Sequence, residues 1–82
     1  MRLDKYLKVT RLIKRRTVAN EVCDAARVTV NGRPAKASYQ VKENDIIELT
    51  FGTRTLRVQV LLTEEPPRKD PAPMYKELPD SN

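Results

Sequence analysis

Apolar residues recur at helical spacing in the first third of the chain and at alternate positions further on. Leu3, Tyr6, Leu7 and Thr10 follow the i, i+3, i+4, i+7 pattern, which predicts a short amphipathic helix from Leu3 to about Val9. Lys5 and Lys8 fall off that stripe, and Asp4 stands in the first turn, where a carboxylate suits the helix dipole. Thr10 to Arg15 reads as a connection, because a second helical pattern begins at Arg16–Thr17 in a different phase. That pattern puts Val18, Val22 and Ala26 on one side with Ala19 and Cys23 beside them, and Asn20, Glu21 and Asp24 on the other.

From Arg27 the period falls to two. Val28 and Val30 alternate with Arg27 and Thr29, and Asn31-Gly32 is a strong hairpin signal. Pro34 limits the return strand to an edge or irregular position. Tyr39 and Val41 suggest a short extended piece, and Lys42-Glu43-Asn44-Asp45 a turn. Ile46 to Phe51 predicts a strand with Ile47, Leu49 and Phe51 on one face. Gly52-Thr53 reverses the chain, and Arg54 to Val60 alternates again through Leu56, Val58 and Val60. The expected architecture is therefore α+β: two short N-terminal helices on a small twisted antiparallel sheet, in one domain over residues 1–62. Residues 63–82 hold five of the six prolines among Glu, Asp, Lys and Ser, a composition that predicts a flexible tail. Met74-Tyr75-Lys76-Glu77-Leu78 is the one candidate docking segment within it.

Composition narrows the function classes. The single Cys23 excludes an internal disulfide and fits a small core residue, and the absence of His removes the commonest ligand and general base. A reduced, cytoplasmic setting fits best. No apolar run reaches the ~20 residues of a membrane span, and no uninterrupted apolar segment follows the basic start as a secretory signal would need. Neither a cofactor nor a metal is expected. With the tail too polar to form a second fold, no catalytic domain is expected either.

Charge is more informative. Residues 1–37 contain ten Lys/Arg against three Asp/Glu, whereas residues 38–82 contain six against eight. The basic side chains cluster at Arg2, Lys5, Lys8, Arg11, Lys14, Arg15 and Arg16, and Arg33 and Lys36 add to the edge after the Asn-Gly turn. A basic face of this kind points to a polyanion, with nucleic acid ahead of an anionic membrane surface. Lys14, Arg15 and Arg16 at the start of the second helix oppose its dipole but would converge with its free amides on a phosphate. Tyr6 and Tyr39 are the candidates for stacking on an unpaired base, although the helical stripe favours the core for Tyr6.

The order of these elements resembles a known family. Arg2-Leu3-Asp4-Lys5-Tyr6-Leu7, Arg16 with Ala19 three residues on, and Arg27-Val28-Thr29-Val30-Asn31-Gly32 are similar to the S4 (S-four) RNA-binding domain. Asp45-Ile46-Ile47 and Gly52 fall where that family has its later strand start and turn. Arg15 replaces a frequent Ser, Ala26 a usual Gly at the helix exit, and Asn44 the Gly of a Gly-Asp turn. Lys36-Ala37-Ser38, Phe51-Gly52 and Met74-Tyr75 are similar to a group of small bacterial S4 proteins of ribosome-associated quality control. The resemblance implies binding to obstructed large ribosomal subunits through rRNA and peptidyl-tRNA, and a monomer is expected. It further implies support for the NEMF-family tailing factor RqcH in adding alanine to stalled chains. Arg2 and Arg16 map onto RNA-contacting positions of the family, with Lys5, Lys8, Arg11 and Arg15 beside them. The small heat-shock S4 proteins are the nearest alternative. A helix-turn-helix DNA-binding protein is a more distant one, because Asn20, Glu21 and Asp24 suit phosphates poorly.

Overall fold

The computed structural model describes residues 1–67, 69 and 72–79. The remaining residues of the stretch read as a flexible tail (68, 70, 71 and 80–82) lie outside the described residues. Helix α1 spans Leu3–Val9 and α2 spans Arg16–Asp24. Strands β1 (Val28–Val30), β2 (Arg33–Pro34), β3 (Ile46–Phe51), β4 (Arg54–Val60) and β5 (Tyr75–Leu78) form one antiparallel sheet in the order β2-β1-β3-β4-β5.

Helix α1 buries Leu3, Tyr6 and Leu7 completely, as its spacing predicts. It ends at Thr10, whose hydroxyl donates to the Tyr6 carbonyl at 2.7 Å, and Arg11 then turns into the left-handed region at φ 63°. The connection is pinned by buried Ile13, whose N–H returns to the Leu7 carbonyl. In α2 the buried positions are Ala19 and Cys23, while Val18 is 40% exposed and Ala26 lies beyond the helix. The expected stripe is thus rotated: small side chains face α1 and the valines flank them. Close approach of two helices selects small residues over apolar ones of any size.

The helix exit is a Schellman turn. Arg27 N–H bonds the Val22 carbonyl and Ala26 N–H the Cys23 carbonyl, with Ala26 left-handed at φ 58°. The Asn31-Gly32 hairpin has both central residues at positive φ, 54° and 84°, the primed turn that matches strand twist. Asn44 also takes a left-handed conformation, at φ 73°, which Asn tolerates better than most residues.

Alternation carries the core. Val30 pairs with Ile47 and Ile47 with Val58, and beside them Val28 pairs with Leu49 and Leu49 with Leu56. These rows face the helices' apolar side chains in a single cluster. Phe51 shares their parity but is the last residue of β3 and is 44% exposed. Pro34 lies on the edge strand, as its missing N–H requires.

The sheet extends beyond Leu62. The segment read only as a docking candidate within a flexible tail is a strand: Tyr75 pairs with Val60 and Leu78 with Arg57. Met74, just before it, is buried, and its carbonyl accepts bonds from the Tyr6 hydroxyl at 2.7 Å and from the Leu61 and Leu62 amides.

Candidate nucleic-acid interface

The first residues are held in place by the loop before β3. Arg2 bridges Gln40, Val41 N–H bonds the Met1 carbonyl, and the Leu3 and Asp4 amides bond the carbonyls of Tyr39 and Ala37. The Asp4 carboxylate accepts the Lys5 amide at 2.8 Å. The first-turn amides of α1 are therefore satisfied inside the protein. No side chain caps α2, and its first three amides have no acceptor among the described residues.

Asp4 is the organising group. Although only 2% exposed, it touches two half-exposed arginines. Arg2 Nε lies 3.3 Å from Oδ1 and Arg2 Nη2 3.4 Å from Oδ2, while Arg16 Nε lies 3.3 Å from Oδ2. Burial pushes the Asp4 carboxyl upward, but the Arg16 hydrogen bond, the Lys5 amide and the charges of Arg16 and Arg2 outweigh it and hold it below its usual value. The grip on Arg16 is through Nε alone, so its terminal Nη groups are unpaired among the described residues. A guanidinium held this way is oriented while its outer fork stays open to a phosphate.

Residues 1–47 match the S4 domain model, more than half of the chain. The chain belongs to the S4 domain family. The RQC P-site tRNA stabilizing factor of Streptococcus pneumoniae is 54% identical over 77 residues, covering 93% of this chain and 88% of that protein. Heat shock protein 15 of Escherichia coli is 32% identical over 83 residues, covering 99% of this chain and 62% of that protein. The trimeric structure of Vibrio cholerae Heat Shock Protein 15 superposes with a TM-score of 0.79 at 26% identity, covering 95% of this chain and 81% of that one.

In this S4 domain the basic residues fall into three settings. Arg2 and Arg16, twelve residues beyond Asp4, are brought together by it. Lys5 and Lys8 are exposed on α1, Arg11 and Lys14 on the connection, and Arg15 at the position preceding α2. Arg33 and Lys36 are exposed along a groove lined by Val30, Asn31, Pro34, Ala35, Ser38 and Tyr39 as well, next to the Ala37 carbonyl that receives the Asp4 amide. Tyr6 is unavailable for stacking: its ring is fully buried, its hydroxyl is committed to Met74, and burial, then Tyr75, raises its pKa.

Sequence reasoning missed two acids. The helix dipole accounts for only part of the role of Asp4, which joins Arg2 to Arg16; the Arg-x-Asp spacing at the helix start is the local signal for half of that arrangement. Asp45, read as part of a turn, is buried and gathers the Asn31 amide nitrogen at 3.1 Å, the Tyr39 hydroxyl at 2.8 Å and the Lys42 N–H at 2.9 Å.

Proposed function

We propose that this chain is a non-catalytic RNA-binding factor of ribosome-associated quality control that grips rRNA and peptidyl-tRNA on obstructed large ribosomal subunits. The observation that carries the reading is the Arg2–Asp4–Arg16 cluster, in which a buried carboxylate orients two half-exposed guanidinium groups beside the open first turn of α2. Lys5, Lys8, Arg11, Lys14 and Arg15 extend the positive field around it. Recognition is by backbone and shape, since phosphate contacts position a protein and A-form RNA offers little base-edge information in its deep groove. The similarity to proteins named RQC P-site tRNA stabilizing factor supports tRNA held in the P site as one target. In this reading the chain acts as a cytoplasmic monomer that steadies the tRNA while RqcH adds alanines to the stalled chain.

Arg16→Ala tests the reading. Co-sedimentation with large subunits should fall about tenfold or more, the scale of one lost charged contact. The circular dichroism spectrum should remain that of the folded chain. Retained co-sedimentation at physiological salt would refute the role of Arg16. Wild-type binding should also weaken steeply with salt, as several phosphates shed counterions; a flat response would indicate a protein partner instead. Sequencing RNA crosslinked to the wild-type chain should return large-subunit rRNA and tRNA, whereas recovery of genomic DNA would favour a DNA-binding role.

A further inference from the structure

The groove along residues 30–39 has a volume of about 710 Å³, within the ~300–1,000 Å³ usual for ligand sites. No residue of α1 or α2 lines it. Two of its lining side chains, Arg33 and Lys36, are exposed cations with no acidic partner among the described residues. Pro34 and Tyr39 add ring surface, and Ser38 adds an exposed hydroxyl. No acidic residue lines the groove.

The wall is also preorganised. Buried Asp45 stands behind it, accepting the Tyr39 hydroxyl and the Asn31 side-chain N–H, while Asn31 Oδ1 accepts the Ile46 amide at 3.0 Å. Asn31 and Tyr39 are thereby fixed before any ligand arrives, and the Asp45 carboxylate, like that of Asp4 beside Ala37, is spent on protein donors. Paired cations, ring faces and a hydroxyl are the combination that takes a nucleotide: phosphate on the cations, base on the rings, sugar hydroxyl on the polar group. An acidic peptide would engage the cations but has no use for the rings.

We propose that this groove seats one unpaired nucleotide of RNA, through Arg33 and Lys36 on the phosphates and Pro34 and Tyr39 against the base. The proposal rests on the reading of the chain as an RNA-binding factor and adds a second contact, for single-stranded rather than helical RNA. Arg33 and Lys36 are exposed and lie outside the core, so Arg33→Ala/Lys36→Ala leaves the fold intact.

The test is an amide NMR titration of the full chain with hexauridylate and, separately, with a hairpin RNA. Hexauridylate should shift Asn31, Gly32, Lys36 and Ser38. The double variant should weaken it about tenfold and lower the log–log salt slope by about 1.4, the single-strand value for two phosphates. Arg16→Ala should leave hexauridylate binding within twofold and weaken the hairpin. Hexauridylate shifts confined to residues 2–18, with the double variant unchanged, overturn the groove and leave the larger reading standing. Failure of both RNAs to bind overturns both, and a hexaglutamate peptide that occupies the groove more tightly than hexauridylate overturns the choice of ligand.

Discussion

Asp4 illustrates how one side chain can serve fold and function together. A buried carboxylate is costly unless its oxygens are satisfied, and here one backbone amide and two guanidinium groups satisfy them. Because its folded pKa lies below the unfolded value of about 3.9, ionised Asp4 stabilises the fold fully above that pH. The contribution is lost as pH falls through the folded pKa. Asp4→Asn should therefore cost about 1–3 kcal/mol by urea denaturation at pH 7. The gap to wild type should stay flat down to about pH 5 and close in acid below about pH 4. A gap that persisted unchanged at pH 2 would mean that packing, not charge, sets the cost. From sequence alone, Asp4 looks like any acidic residue in a first turn; its second partner, Arg16, is joined to it only by the docking of α1 on α2.

At the scale of the element, local chemistry decided what was legible. Strands β1 to β4 follow from alternation and from two turns whose Asn-Gly and Gly-Thr residues signal reversal within the strand pair itself. The buried stripe of α2 was not legible in full, since choosing Ala19 and Cys23 over Val18 and Val22 depends on how closely α1 approaches. Strand β5 was least legible: its partner is fifteen or more residues away in a stretch whose prolines argue for extended chain. The exit of α2 supports a prediction of its own. Ala26 holds a left-handed conformation that costs a residue with a Cβ about 1–2 kcal/mol. Part of that gain is offset by the greater freedom of Gly in the unfolded chain. Ala26→Gly should stabilise the protein by about 0.5–1 kcal/mol, read as a melting temperature about 2–8 °C higher. An unchanged or lower melting temperature would show that the turn is unstrained.

At the scale of the molecule, the C-terminal segment ties the tip of the chain to its first helix. Met74 sits in the core cluster and its carbonyl receives the buried Tyr6 hydroxyl, so the helix that carries Lys5 and Lys8 is braced from the far end of the sequence. A chain ending at Leu62 loses a buried Met side chain, worth about 1.5–3 kcal/mol. It also leaves the Tyr6 hydroxyl without its acceptor, about 1–3 kcal/mol more. Its melting temperature should fall by more than about 10 °C in calorimetry. A fall of only a degree or two would make residues 1–62 self-sufficient. The division of charge was the most legible whole-molecule property, because it needs only counting along the chain. What counting could not supply was which basic residues gather on the Asp4 carboxylate and which line the neighbouring groove. The single thiol has a practical corollary. Cys23 is buried on α2 with its pKa pushed up to about 11 by burial, then by Asp4 and Asp24, so at pH 7 the thiol is held in its neutral form. Being buried in the core cluster, it meets alkylating reagents only when α2 parts from α1 and that core, and the rate of its labelling is a clock, already built into the chain, for how often the helical layer opens.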